Sequence, residues 1–226
     1  MQKDLLDAHL VQLDRDAYDC PNLKRLLTDP QVLKIFHVPG TRSVRPIWLC
    51  YELDLSVEVE QIDFSPEYRG SKEWRDISPA GKVPALIDGD LTMFESGAMV
   101  DYILERYAEG RLHPEPGTTQ SALHHQWCWF AEATLIRPLG LLRILREKDN
   151  SGGVLVAEAE EKAGLCIKVV DDALRDRPYL LGDEFGAADI MMGYSIAMVE
   201  RLLDDRYPNA QAYLSRLKNR ESFQKV

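Results

Sequence analysis

A proline inside an apolar run is the feature that most constrains the fold of this chain. The run extends from Ser78 to Asp88 and carries Pro84 directly after Val83. Proline lacks the N–H that a central strand needs, so we expect Val83-Pro84 at the beginning of a strand with special geometry, such as a cis peptide. That geometry would leave the N–H and C=O of Val83 free to pair with an extended peptide.

A carboxylate and a hydroxyl follow this run at the start of a helix pattern. Asp88-Gly89-Asp90 is a strong hairpin signal, and Glu95-Ser96 comes directly after the second strand of that hairpin. Side chains at a helix N-terminus suit an amino-acid head group. The alternative interpretation is structural, with Glu95 as an acid near the helix start and Ser96 as an N-cap. Met99 excludes a capping box with Ser96.

Strand and helix patterns alternate in the first half of the chain, whereas the second half shows helix patterns alone. The order βαβ followed by ββα predicts an α/β thioredoxin-like domain over residues 32–110. A linker rich in proline and glycine follows it, and residues 118–226 are predicted to form an all-α domain. Within this domain we expect a long helix from about Thr118 to Lys148, bent or interrupted near Pro138.

The order and spacing of these segments resemble the glutathione S-transferase family over about Val32 to Val226. The matching segments are 32–37 (VLKIFH), 39–43 (PGTRS), 47–49 (IWL), 78–86 (SPAGKVPAL), 95–96 (ES), 178–183 (PYLLGD) and 188–190 (ADI). The resemblance implies a cytosolic enzyme of bacterial type that joins the glutathione thiolate to a small hydrophobic electrophile. It also implies a homodimer, with glutathione as a co-substrate and no other cofactor.

The turn between the first strand and the first helix carries the candidate catalytic residues. A helix N-terminus stabilises an anion, so a thiol placed there ionises more easily. The resemblance puts the residue that contacts the thiol in this turn, and Ser43 is the first candidate, with Thr41 and Arg42 as competitors. The turn holds neither the tyrosine nor the cysteine of other relatives. The alternative for Ser43 is helix capping alone.

The resemblance also assigns the remaining binding roles. Val83 and Pro84 would pair with the tripeptide backbone, Lys82 would meet its glycine carboxylate, and Glu95 with Ser96 would bind the γ-glutamyl group. For Lys82 a solvated turn lysine is the alternative. The hydrophobic substrate pocket is expected from the helical domain, with these candidates: Trp127, Phe130 and Leu135.

Composition narrows the class of protein further. The 226 residues carry a formal net charge of −10, which argues against nucleic acid or an anionic membrane surface as a partner. The four cysteines are scattered without metal-ligand spacing, so we expect neither a metal site nor a disulfide framework. No apolar run reaches the length of a membrane span and no signal-peptide core is present, which indicates the cytoplasm.

Two questions stay open at the level of sequence. Residues 1–31 precede the first strand and carry leucines at helical spacing, which predicts a helical extension packed on the domain or on a partner subunit, or else an interaction arm. Two alternatives to the transferase activity also fit the sequence. One is a binding or scaffold role that keeps the fold without turnover, and the other is a different glutathione-dependent activity such as peroxide reduction or ether cleavage.

Overall fold

The structure, a computed structural model, describes residues 32–147 and 153–226, and its first half is built on a four-stranded mixed sheet. The predicted extension over residues 1–31 lies outside the described residues. In chain order the elements of this half are β1 (Leu33–His37), α1 (Val44–Glu52), β2 (Val57–Gln61), α2 (Pro66–Gly70), α3 (Lys72–Ile77), β3 (Ala85–Asp88), β4 (Leu91–Phe94) and α4 (Ser96–Tyr107).

The strand order is β2-β1-β3-β4, with β1 and β2 parallel and the other pairs antiparallel. This topology confirms the predicted thioredoxin-like domain. Because β3 runs against β1, the last residues of β1 lie beside the first residues of β3, and Phe36 pairs with Ala85. The fold therefore brings the turn after β1 next to Val83-Pro84.

The bond between Val83 and Pro84 is cis, as the sequence predicts, and β3 begins at the next residue. The predicted hairpin is also confirmed, since Asp88 pairs with Leu91 across the turn. The Asp88 carboxylate is buried and accepts a hydrogen bond of 2.5 Å from the Tyr102 hydroxyl. The hairpin is thus tied to α4.

Among its described residues the second half contains helices, the loops that join them and one isolated bridge between Tyr179 and Gly182, in agreement with the predicted all-α domain. None of the helices in the described ranges has the length and apolar character needed to cross a membrane. The elements are α5 (Thr119–Trp129), a π-helical segment (Phe130–Leu135), α6 (Ile136–Glu147), α7 (Val154–Ala173), α8 (Ala187–Met198), a 3₁₀ turn (Glu200–Leu202), α9 (Pro208–Lys218) and α10 (Glu221–Gln224).

The long helix predicted to break near Pro138 is interrupted one turn earlier. The π-helical segment ends at Leu135, and Pro138 lies in the first turn of α6. Pro138 has no N–H to donate to the carbonyl four residues before it, so a regular α-helix would lose one hydrogen bond here. The wider turn of the π-helical segment is placed at this point. Glu132 belongs to this segment, and it reaches Arg42 and Arg45 of the first half.

One hydrophobic core spans both halves of the described chain. Trp48 of α1 is fully buried, and its ring centroid lies 5.6 Å from that of Phe185 and 4.9 Å from that of Phe223. Gly193 on α8 packs so closely that an added Cβ would lie 2.9 Å from the Trp48 ring and 2.9 Å from Leu217. Close packing of α8 against α1 thus needs glycine at position 193.

Asp189 organises the start of α8, and all its bonds are structural. Its carboxylate accepts hydrogen bonds from the Gly186 N–H at 2.9 Å, the Leu180 N–H at 3.0 Å and the Tyr213 hydroxyl at 2.9 Å. The bond from the Gly186 N–H to the Asp189 side chain is one of the two hydrogen bonds of a capping box. The other bond is absent because Gly186 has no side chain. Burial raises the pKa of Asp189 to about 6, against the effect of these hydrogen bonds.

Candidate active site

Two adjoining cavities form a cleft between the end of the sheet and the helical half. Arg42, Lys82 and Val83 line both cavities, which therefore lie side by side. The smaller cavity, of about 70 Å³, is also lined by Ser78, Ala80, Pro84, Phe94 and Glu95. The larger, of about 530 Å³, is also lined by Gly40, Thr41, Phe64, Arg69, Ile136, Leu139, Gly140, Arg143, Ile144, Tyr194 and Met198.

The backbone of Val83 is presented to this cleft. Within residues 32–147 and 153–226, its N–H and C=O make no hydrogen bond. The turn before it is fixed by the Ser78 hydroxyl, which donates to the Lys82 carbonyl at 2.8 Å and accepts from the Lys82 N–H at 3.2 Å. A strand edge held in this way can accept an extended peptide without rearranging.

Glu95 and Ser96 lie beside this edge, at the start of α4. Glu95 is exposed and adopts φ 78°, which costs energy for a residue other than glycine and is typical of functional sites. Ser96 is the first residue of the helix, so its interpretation as an N-cap is wrong; Glu95 holds that position without a side-chain bond. The buried Ser96 hydroxyl instead accepts a hydrogen bond of 3.1 Å from Arg45.

The turn residues differ sharply in their exposure to the cleft. Ser43 is fully buried, and its Oγ lies 2.8 Å from Nδ1 of His37 and 2.7 Å from Oγ1 of Thr41. Its side chain does not cap α1, so capping does not explain it. Thr41 and Arg42 are partly exposed and line the larger cavity. In this structure the Thr41 hydroxyl donates to the Val38 carbonyl at 2.7 Å.

A buried arginine that sequence reasoning missed connects the two halves of the site. The guanidinium of Arg45 is fully buried, and it donates to Ser96, to Glu132, and to Ser195 at 3.0 Å. Burial lowers the pKa of Arg45, and the Glu132 carboxylate opposes that change. Arg42 also donates to Glu132. One signal was available in the sequence, because Arg45 falls on the buried side of α1 among Ile47 and Trp48.

The cleft is cationic although the whole chain is acidic. The larger cavity carries these four positive side chains: Arg42, Arg69, Lys82 and Arg143. Lys82 is exposed and lines both cavities. Such a local field attracts a small anionic ligand against a net charge of −10. An anionic peptide therefore fits both the backbone edge and the charge.

The predicted pocket residues lie outside the cleft lining. Trp127 and Leu135 are buried in the core, and Phe130 is partly buried with its ring centroid 5.7 Å from that of Trp127. The apolar wall of the larger cavity comes instead from α6 and α8 and from Phe64. Its apolar members are Phe64, Ile136, Leu139, Ile144, Tyr194 and Met198.

Comparison with known proteins gives consistent matches. The family model described as glutathione S-transferase, N-terminal domain, matches residues 31–105, and the corresponding C-terminal domain model matches residues 154–216. A glutathione S-transferase from Hyoscyamus muticus is 30% identical over 194 residues, covering 81% of this chain and 91% of the relative. A dichloromethane dehalogenase from Methylorubrum extorquens is 28% identical, covering 88% of this chain and 75% of the relative.

Among solved structures, a glutathione transferase from Burkholderia graminis with two bound glutathione molecules per subunit has the same fold. Its TM-score is 0.79 at 22% sequence identity, and the match covers 88% of each chain.

Proposed function

The chain belongs to the glutathione S-transferase family and is a glutathione transferase, and from this premise we propose that its cleft joins the glutathione thiolate to a small hydrophobic electrophile. The observation that carries the proposal is the unpaired backbone of Val83 beside the cis bond to Pro84, in a cleft lined by cations and by an apolar wall. The unpaired backbone of Val83 and the cations support binding of a tripeptide, and the apolar wall supports binding of an apolar second substrate.

Glutathione would lie along the strand side of the cleft. Its cysteinyl backbone pairs with the N–H and C=O of Val83, as an added strand would. Its γ-glutamyl group reaches Glu95 and Ser96, where Glu95 accepts from the amino group and Ser96 binds the carboxylate. Lys82 neutralises the glycine carboxylate. Each of these assignments is supported by the lining of the smaller cavity or by its immediate neighbour in the chain.

The thiol would lie at the N-terminus of α1, where Thr41 contacts it. The partial exposure of Thr41 supports this choice over Ser43, which is buried. On binding, the Thr41 hydroxyl turns its proton from the Val38 carbonyl to the sulfur. Ser43 Oγ lies 3.4 Å from the same carbonyl and replaces Thr41 there. Ser43 is thus a positioning residue for Thr41, and the cation of Arg42 adds to the field of the helix.

The electrophile would bind against the apolar wall formed by α6 and α8. Tyr194 connects this wall to the turn, since its hydroxyl donates to the Gly40 carbonyl at 3.3 Å. Bound there, an apolar electrophile lies beside the turn that holds the thiolate. Proximity and a populated thiolate then supply most of the rate gain.

A homodimer is part of the proposal, as in the family. Phe94 on β4 and Trp129 on α5 support it, because 46% and 66% of their surfaces are exposed. Exposed apolar side chains mark an interaction surface where they form one contiguous patch, which the pairing of two copies would bury. Light scattering of the purified chain should give a mass of two copies.

The thiol contact is tested with Thr41→Ala, with Thr41→Ser as the matched control and Ser43→Ala as a second variant. Ultraviolet absorbance of bound thiolate, followed against pH, gives the midpoint of ionisation. Thr41→Ala should raise this midpoint by about 1 unit, as expected for the loss of one hydrogen bond to a charged acceptor. Thr41→Ser should keep the wild-type midpoint, and Ser43→Ala should raise it less than Thr41→Ala does.

Turnover of a chloronitroarene completes the test. Thr41→Ala should lower kcat at neutral pH far more than it raises the KM for glutathione. A wild-type midpoint in Thr41→Ala would contradict the assignment of Thr41. Absence of glutathione binding in calorimetry of the wild-type chain would contradict the whole proposal.

A further inference from the structure

A second group of polar side chains comes from α4 and α5 and lies outside the cleft lining. Asp101 of α4 and the adjacent His124 and His125 of α5 each place one potential ligand atom within 4.8 Å of the other two. A cavity of about 40 Å³ adjoins them and shares no lining residue with the two cavities of the cleft. Its lining includes Asp101, His125 and Cys128. The space suits an ion and is too small for an organic substrate.

His124 is buried without a full set of partners. Only 3% of its surface is exposed, and its Nδ1 has no hydrogen-bond partner among the described residues. Its Nε2 lies 3.7 Å from Sγ of Cys128. Burial first, and then the neighbouring His125 and His113, lower the pKa of His124 to about 4. A neutral ring with an unused nitrogen is costly to bury and is a good metal ligand.

Asp101 is the second group without a protein partner. It lies at an exposed position with its side chain partly covered, and across the described ranges of the chain its carboxylate accepts no hydrogen bond and forms no ion pair within 4 Å. Burial raises its pKa, while His125 acts in the opposite direction. A carboxylate that lies beside two imidazoles and has no protein donor leaves its oxygens available to a cation.

We infer that Asp101, His124 and His125 form a binding site for a divalent transition-metal ion, of which zinc is the best match. Two imidazoles and one carboxylate are a common donor set for zinc and are poorly suited to magnesium or calcium, which prefer oxygen ligands.

The distances require only modest adjustment. Ligand atoms around tetrahedral zinc lie roughly 3.3 to 3.6 Å apart, given bonds of about 2.0 to 2.3 Å to the metal. The spacing of up to 4.8 Å among the donors must shorten by roughly 1 Å, which side-chain rotation supplies. The site takes no part in the transfer reaction, because it lies outside the cleft.

Equilibrium dialysis against zinc tests the site, using the full chain after removal of metals with a chelator and without glutathione, whose thiol binds zinc itself. The informative variants are Asp101→Asn, which keeps the shape of the side chain, and His125→Gln, at an exposed position that tolerates change. His113→Gln is the matched control, since it removes a histidine outside the ligand set. Wild type and control should bind one zinc per chain, and each ligand variant should bind it at least tenfold more weakly.

Cobalt(II) gives a second measurement that does not depend on activity. A site with two imidazoles and a carboxylate should give the visible absorption of low-coordinate cobalt in the wild type and in His113→Gln, and a much weaker one in Asp101→Asn. The inference is overturned if the wild type binds no zinc, or if both ligand variants bind it as tightly as the wild type. Neither result would affect the proposed transferase activity, which is measured with metal-stripped protein.

Discussion

The strand side of the cleft is assembled from residues close in sequence, whereas the helix side is assembled from distant ones. On the strand side, Ser78 fixes a turn by bonding Lys82, four positions away. On the helix side, Arg45 bonds Ser195, 150 positions away. The local side presents backbone groups, and the distant side presents side chains. The local side therefore depends on backbone geometry, and the distant side on the packing of one half against the other.

This comparison predicts that removing a contact on the helix side of the cleft lowers the free energy of unfolding more than removing one on the strand side. A buried charge holds its place only while its partner remains, and removal of one partner leaves a desolvated ion. A lost turn or cap bond exposes a backbone group that water can reach. Three measurements, in order of expected effect, examine this difference.

Glu132→Gln should have the largest effect. It leaves Arg45 buried with no carboxylate and Arg42 without its partner, so the free energy of unfolding should fall by about 3 to 5 kcal/mol in urea titrations. Glu58→Gln is the matched control, because its pair with Lys34 is exposed and should cost less than about 1 kcal/mol. Equal losses in the two variants would remove the distinction between the two sides.

Asp189 gives an effect that depends on pH. The folded-state pKa of about 6 lies above the ordinary value of 3.8, so the folded protein holds this proton more tightly than the unfolded chain. Its contribution to stability is therefore present below about pH 4 and is lost as pH rises to about 6. Relative to Asp189→Asn, the wild type should lose about 3 kcal/mol between pH 4 and pH 7.

Chemical denaturation of the two proteins across that range measures the difference. A pH-independent offset between them is expected, because asparagine cannot accept every hydrogen bond that Asp189 accepts. An offset that does not vary with pH would show that the carboxyl group titrates normally.

Ser71→Ala should have the smallest effect. Ser71 caps α3 by accepting from the Trp74 N–H at 3.2 Å, a contact between residues three apart. Its loss should cost about 1 kcal/mol in the free energy of unfolding. A loss as large as that in Glu132→Gln would mean that local contacts on the strand side carry more of the stability than the comparison allows.

The same division explains what the sequence could predict. Val83-Pro84, the hairpin at Gly89 and the position of Glu95 follow from proline, glycine and strand spacing, which act over a few residues. The roles of Arg45 and Glu132 depend on which helix packs on which, and periodicity carries no information about that. Trp127 and Leu135 have the hydrophobicity of pocket residues, but both are buried in the core, and periodicity does not tell which apolar side chains face a cleft.

Sequence reasoning put Ser43 ahead of Thr41, two hydroxyls two positions apart in one turn, without information on which of them faces the cleft. Their exposures differ because the first turn of α1 rotates Ser43 inward, towards His37 on β1. Only the three-dimensional placement of the turn separates them.

The guanidinium of Arg45 couples the two halves of the molecule. It touches Ser96 in one half and Ser195 in the other, so the two halves share a single charge. In the proposed binding mode, with the tripeptide at Ser96, its uptake and the order of the helical half are linked thermodynamically, and such linkage is reciprocal. In that mode a change that loosens the helices weakens uptake of the tripeptide by the same factor by which the tripeptide stabilises them.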